Sequence, residues 1–322
     1  MRSGRVVVGG LIVAALIAGG AYVAVKRGIG PLPDPKRCVA EASGYSVAMS
    51  TEQAENASII AAVAERRGLP ARAISIAIAT AYQESKLENV EGGDRDSLGL
   101  FQQRPSQGWG TPKQIMDPYY ATNAFYDALV KVDGYETMEI TKAAQEVQRS
   151  AFPEAYADHE KDGRTIASDM SGYSQASFSC STDSEDLDAQ KMTGSGLTPR
   201  AEAVRSDMNR AFGELPLGGF DPNGVDSGHM SGSAHYDGRA IDVFFRPISE
   251  DNTRRGWVLA HYLVANAERL HIQHVIFDGK IWTAGDLSED GWRTFNPKFT
   301  GDESDEAKDI LLHRDHVHVD VF

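Results

Sequence analysis

Cysteine is almost missing: 322 residues contain only Cys38 and Cys180. Two thiols exclude a four-cysteine zinc finger, an iron–sulfur centre and a disulfide-dense miniprotein. A basic excess is missing too, with 32 Lys and Arg against 46 Asp and Glu, a formal charge of −14. Four of the basic residues lie within residues 1–27, which hold no acidic one, so residues 28–322 carry −18. A surface that acidic repels phosphate backbones, and no nucleic acid partner is expected. No internal repeat is visible. What is present is an apolar fraction of 41%, enough to fill real cores, in a length suited to at most two ordinary domains. Eight of the nine histidines lie after residue 228. Metal chemistry, where there is any, is expected in that half.

Val6–Val25 is an unbroken run of twenty apolar or small residues between Arg2 and Arg5 on one side and Lys26 and Arg27 on the other. Its length fits a transmembrane helix. It fits equally a signal sequence, with Val6–Ile17 as its apolar core and Ala18 to Gly20 as a small-residue cleavage site. Residues 1–27 are therefore expected to be a membrane anchor or a signal, and residues 28–49, opening with a Pro/Gly spacer, a linker. Ala-rich periodic sequence fills residues 50–170. Residues 171–196, rich in Ser, Asp, Thr and Gly, read as a second linker, and residues 197–322 as a second globular region. Within the latter, residues 301–309 read as a solvated loop. Cys38 and Cys180 bracket the first region. A bridge between them would close a long loop and add up to ~4–5 kcal/mol in the chain-entropy model, and two free thiols are the alternative.

Thr51 opens a helix that stops at Arg66 to Pro70, and a second runs from Ala71 to about Lys86. Ile74, Ala77, Ile78 and Ala81 share one face of the second helix, and Glu84 falls on the same face near its end. An apolar surround favours the protonated form of a carboxyl group, and cleavage of a glycosidic bond needs a proton donor. The same spacing also fits a glutamate exposed in the last turn. Asp94 and Asp96 in the following Gly/Asp segment read as a polar turn, the alternative being that one of them supplies the second carboxylate an inverting hydrolase needs. Trp109, Tyr119, Tyr120, Phe125 and Tyr126 read mostly as core.

Gln83-Glu84-Ser85, followed by Ser97, Gly99, Leu100 and Gln102, resembles the lysozyme-like lytic transglycosylase superfamily. There a helix ending in Glu-Ser precedes a Ser-x-Gly-Leu-x-Gln segment. The resemblance covers about residues 50–165. It implies an all-α lysozyme-like domain with Glu84 as the single catalytic acid/base and Ser97 and Gln102 near the sugar. Residues 143–156 replace the family's usual Ala-Tyr-Asn-Ala-Gly block, and the wall-facing tyrosine carries over to Tyr156. A hydrolase would need a second carboxylate to activate water, which a transglycosylase does not, and the motif leaves the two open.

In the second region, Ser233-Ala-His235-Tyr-Asp-Gly238-Arg-Ala240-Ile-Asp242 fits Ser-x-His-x-x-Gly-x-Ala-x-Asp at every fixed position. At the end of the chain, Val317, Val319 and Val321 alternate with His316, His318 and Asp320, so both histidines share one strand face. Two histidines and a carboxylate form the open three-ligand zinc set of hydrolases, with Asp315 three residues before His318 as a nearby base. These residues resemble the zinc D-alanyl-D-alanine carboxypeptidase and L,D-endopeptidase superfamily, which shares its fold with the hedgehog signalling domain. The resemblance implies a small α+β domain with an antiparallel sheet. His235, Asp242 and His318 would hold Zn2+, Asp315 would be the general base, and His316 would help hold the reacting oxygen. The arginine often found upstream is replaced by Asp221, with Arg239 inside the motif as the alternative cation. His229, His261, His271 and His274 lack ligand spacing and read as structural.

Together these features lead to the expectation of an extracytoplasmic, membrane-anchored (or secreted, if the leader is cleaved) peptidoglycan hydrolase that cuts glycan strands and stem peptides. The alternative is a non-catalytic peptidoglycan-binding envelope protein.

Overall fold

Ser50, one residue ahead of the expected cap, starts the first long helix. Its hydroxyl accepts from the Gln53 backbone N–H while the Gln53 side chain accepts from the Ser50 N–H, a reciprocal capping box. The computed structural model describes residues 37–150 and 154–322. The expected anchor or signal at residues 1–27, and the spacer up to residue 36, lie outside the described residues. Among the described residues no helix is long and apolar enough to cross a membrane.

Residues 38–49, expected as linker, instead form a hairpin of β1 (Cys38–Ala42) and β2 (Tyr45–Met49). Ser43 and Gly44 both have positive φ, 52° and 73°, which suits the right-handed twist of a two-residue turn. Two helices follow, α1 (Thr51–Arg66) and α2 (Ala71–Ser85), close to the expected bounds. Lys86 in the left-handed conformation ends α2. Then come α3 (Pro112–Ile115), α4 (Pro118–Leu129), α5 (Ile140–Gln148) and α6 (Glu160–Met170). Tyr119, Phe125 and Tyr126 on α4 are core, as expected, while Trp109 and Tyr120 are only partly buried.

The second expected linker, residues 171–196, contributes β3 (Ser179–Cys180), which pairs antiparallel with β1 and places Cys180 opposite Cys38. The two are disulfide-bonded. After α7 (Pro199–Phe212), residues 217–321 build a six-stranded antiparallel sheet. Its strands are β4 (Leu217–Gly218), β5 (Ala240–Phe244), β6 (Ile272–Phe277), β7 (Lys280–Thr283), β8 (Arg293–Thr294) and β9 (His316–Val321), in the order β4-β5-β9-β6-β7-β8. The helix α8 (Glu250–Ala265) packs on the sheet and buries Trp257. Two short helices are also present among the described residues, α9 (Ala267–Leu270) and α10 (Asp305–Leu311). The second of these falls where a solvated loop was expected. None of its seven residues is buried, and Ser304 caps it on the Ala307 N–H.

The helical half and the sheet half meet along α1 and α8, and their buried residues form one continuous cluster. Glu65 on α1 accepts from both Arg254 and Arg255, and Asn266 donates to Ser58. The hydroxyls of Tyr119 and Tyr262 lie 2.8 Å apart. His261 of α8 is completely buried among Phe178, Trp257 and Trp292 and donates from Nδ1 to the backbone oxygen of Asp169. Its Nε2 has no hydrogen-bond partner among the described residues. Burial holds the imidazole neutral, down to about 4, against a smaller opposing effect of the Asp169 carbonyl. The unfolded chain therefore binds the extra proton first, and His261 costs the fold stability as pH falls from 6.5 towards about 4. Over that window, urea denaturation should show the parent protein losing on the order of 3 kcal/mol more than His261→Phe. Parallel pH curves for the two proteins would refute a neutral buried imidazole.

Candidate functional site

The pairing of β5 with β9 sets Asp242 directly opposite His318, Phe244 opposite His316 and Ala240 opposite Asp320. Side chains alternate along a strand, so Asp242, His316, His318 and Asp320 all emerge on one face while Val317, Val319 and Val321 are buried on the other. His235 arrives from a single 3-10 turn, Ala234–Asp237, whose cap Ser233 accepts from the His235 N–H. Gly238 ends the turn at φ 65°, and a Cβ there would sit 2.4 Å from the Gly196 oxygen. The spaced motif is thus a cap, a first expected ligand, a left-handed exit, a small strand residue and a second expected ligand.

The three expected ligands converge. His235 Nε2 lies 3.0 Å from His318 Nδ1 and 3.2 Å from Asp242 Oδ1, and His318 Nδ1 lies 3.1 Å from the same carboxylate oxygen. Ligand atoms of a tetrahedral zinc ion with bonds of ~2.0–2.1 Å stand roughly 3.3 Å apart, so the residues present fit that ion. All three are at least nine-tenths buried. Each imidazole is aimed by a second contact: His235 Nδ1 donates to the Gly219 oxygen at 2.7 Å, and His318 Nε2 lies 3.2 Å from Asp320 Oδ2. Asp320 is held in turn by His274 Nδ1 at 2.9 Å. Burial alone would raise the Asp242 carboxyl, but His235 and His318 hold it well below the usual range. Burial would likewise lower His318, yet Asp242 and Asp320 raise it to about 9. Two carboxylates that hold a proton on this imidazole also favour a cation beside it.

Asp315 sits next to this centre with both oxygens engaged. Oδ1 accepts from His316 Nδ1 at 2.7 Å, and Oδ2 accepts from Nε and Nη2 of Arg246 at 2.7 and 2.6 Å. Despite burial, these partners keep its carboxyl below the ordinary value. His316 is thereby turned so that Nε2 faces Asp242 Oδ1 at 3.8 Å. Asp221 is exposed and closes a local turn on Asn223. Arg239 and Arg246 both line the cleft, and the Arg246 guanidinium lies 4.2 Å over the Phe244 ring. Sequence reasoning missed Arg246, since an Arg-Pro step carries no motif. It also reads His229 and His274 as structural and gives His313 no role. The structure stacks the His229 ring on His235 at 3.9 Å and packs His313 between His316 and His318. His274 supports a ligand through Asp320. The cleft has a volume of about 420 Å³, and Ile276, Phe295 and Ile310 make its apolar side.

In the helical half, Glu84 is partly buried at the end of α2 and accepts a 2.6 Å hydrogen bond on Oε1 from the fully buried Tyr156. Burial first, then the Glu84 carboxylate, pushes the Tyr156 phenol far up, so it remains a donor. Ser85 donates to the Leu100 oxygen at 2.7 Å, which ties the 97–103 loop to the helix end. Ser97 is buried in that loop. Gln102 is partly exposed and donates to the Gly99 oxygen. Asp96 accepts from Arg104 and from Ser106, so the expected polar turn is a braced one, while Asp94 is exposed. A separate groove of about 830 Å³ runs past Trp109, Lys131, Glu146 and Gln148. Glu84 lines neither of these two clefts.

Gly219 is required where it is. Its φ is 79°, and a Cβ there would stand 2.3 Å from His235 Cε1, 2.5 Å from His235 Nδ1 and 3.0 Å from Asp242 Oδ2. Were Zn2+ held by this triangle, Gly219→Ala should weaken its binding by at least about tenfold in calorimetric titration, the scale for disturbing a ligand's support. Far-ultraviolet circular dichroism should be unchanged. Unaltered zinc affinity would mean that the ligand triangle does not depend on this close approach.

No curated protein matches the chain. Residues 193–307 match the family model described as VldE, C-terminal domain. The matched span includes His229, His235 and Asp242 and stops before Asp315, His316 and His318.

Proposed function

We propose that the chain is an extracytoplasmic peptidoglycan hydrolase with a zinc peptidase site in its sheet half and a glycan-cleaving site in its helical half. The observation that carries this reading is the convergence of His235, Asp242 and His318 to mutual distances of 3.0–3.2 Å. Those three side chains hold Zn2+. A bound zinc ion supplies Lewis acidity toward a peptide carbonyl. The chain's own residues do the rest. Gly219 and Asp320 fix the directions of the two imidazoles, and the apolar cleft wall excludes water from around the scissile bond. The expected base, Asp315, acts together with His316: the carboxylate orients the ring, and His316 Nε2 is the atom placed to accept or return a proton. His316 and then Arg246 keep Asp315 ionised, and Arg239 and Arg246 bring to the cleft the positive charge that Asp221 does not provide.

On the glycan side, Glu84 donates its proton to the leaving glycosidic oxygen. Tyr156 positions it through the bond to Oε1, which leaves Oε2 for the substrate. Because Asp96 is committed to Arg104 and Ser106, it does not serve as a water-activating base. Asp94 stands on an exposed turn beside Arg95, and of the two reactions we favour transglycosylation, in which the sugar's own hydroxyl closes onto the anomeric carbon. The disulfide suits an oxidising compartment, in keeping with a wall enzyme anchored or exported by its leader.

Mass spectrometry of fragments released from purified sacculi, with zinc present, tests both sites. Glu84→Gln should lower glycan release by about 10²–10⁴-fold and leave peptide release intact. His318→Ala should abolish new peptide termini while anhydro-sugar ends persist. If the parent protein binds sacculi yet releases neither class of fragment, the chain is a peptidoglycan-recognition module.

A further inference from the structure

His229 was set aside on spacing, yet its ligand atom and those of His235 and Asp242 all lie within 4.8 Å of one another. Its ring lies over that of His235, with planes 20° apart. We infer that His229 is a displaceable fourth protein ligand, so that the folded chain closes its own metal centre and opens it when residues 228–232 swing away. The inference rests on the metal-site reading above and adds an occupant for the fourth position.

Three features distinguish His229 from the other ligands. The first is looseness, since the inner three donors stand 3.0–3.2 Å apart whereas the group that includes His229 spans up to 4.8 Å. The second is its support. His235, Asp242 and His318 are buried on a 3-10 turn and two paired strands, but His229 is only partly buried on an irregular segment whose neighbour Met230 is 51% exposed. Gly228 and Gly232 flank that segment with φ of 91° and 79°, and a Cβ built on either meets nothing within 4 Å. Both ends can therefore rotate without disturbing a packed neighbour.

The third feature is a latch. The Tyr236 hydroxyl donates to the His229 backbone oxygen at 2.6 Å and accepts from the His229 N–H at 3.2 Å. One hydroxyl thus holds both polar groups of the residue that carries the ligand, and Tyr236 directly follows the ligand His235. Opening costs two hydrogen bonds and a ring stack, which is within reach of a bound peptide that makes backbone contacts of its own. A metal held by four side chains has the closed character of structural sites, whereas three leave room for substrate. The same chain would pass between these two states by moving one loop.

Cobalt(II) titrated into the metal-free full-length protein reads this directly, because its visible absorption reports coordination number and donor type. Azide, a small anion that needs a vacant position, reports closure. The parent protein should bind one Co2+ with a spectrum that azide does not change. His229→Ala should still bind one Co2+, at least about tenfold more weakly, with an altered spectrum that azide shifts further. Tyr236→Phe, which retains the imidazole, should become azide-responsive while keeping most of the affinity. Identical affinity, spectrum and azide response in the parent and His229→Ala would overturn the fourth-ligand inference and leave the three-ligand site standing. Absence of Co2+ binding by the parent protein would overturn both.

Discussion

The register between β5 and β9 is the constraint on which the site depends. Side chains alternate with period two, so the pairing that places Asp242 across from His318 also turns His316 and Asp320 to the same face and sends three valines to the core. A slip of one residue would bury both histidines against α8 and expose the valines to the cleft. Hydrophobic burial thus enforces the alignment of polar groups that would otherwise repel or desolvate one another. The cost of gathering His235, Asp242, His316, His318 and Asp320 in a buried cluster is offset by the apolar face behind them.

Much of this was legible in the sequence, because the information was local. The valine alternation announced β9 and its face, and the spaced Ser233–Asp242 motif marked His235 and Asp242 as a pair. Glu84 could be placed near the end of an apolar helix face from Ile74, Ala77, Ile78 and Ala81. What could not be read were the contacts that depend on distant chain segments. Arg246 reaches Asp315 from 69 positions away, and His274 reaches Asp320 from 46. Nothing in their own neighbourhoods signals either contact. His229 was passed over for a related reason, since an irregular glycine-flanked segment has no period from which a direction could be inferred. The β1–β2 hairpin reads as linker because two five-residue strands of small and mixed residues give too short a pattern to distinguish from coil.

The join between the halves was hidden for a different reason. A Ser/Asp/Gly-rich stretch ordinarily marks a flexible spacer, yet here it is laid down over both parts. Ser179 and Cys180 complete the small sheet, Trp282 donates to the Cys180 oxygen, and Ser288 accepts from the Thr182 N–H. The partners are single hydrogen bonds and one disulfide, with few large apolar residues to give them away. Composition describes what a segment would do alone; it is silent about a surface that captures it. The buried His261, with one nitrogen committed to the Asp169 backbone, belongs to the same join and fixes α8 against the end of α6.

The disulfide has a mechanical consequence. Cys38 stands at the very start of β1, and its sulfur is bonded to Cys180 across the small sheet. Tension applied through the polypeptide ahead of Arg37 meets a covalent crosslink after one residue, before it can peel β1 from β2 strand by strand. The load is handed on to the segment that stitches the two halves together, and the hairpin itself is spared. A protein tugged from its leading end would hold its shape until α1 and α8 part, or until a reductant removes the rivet.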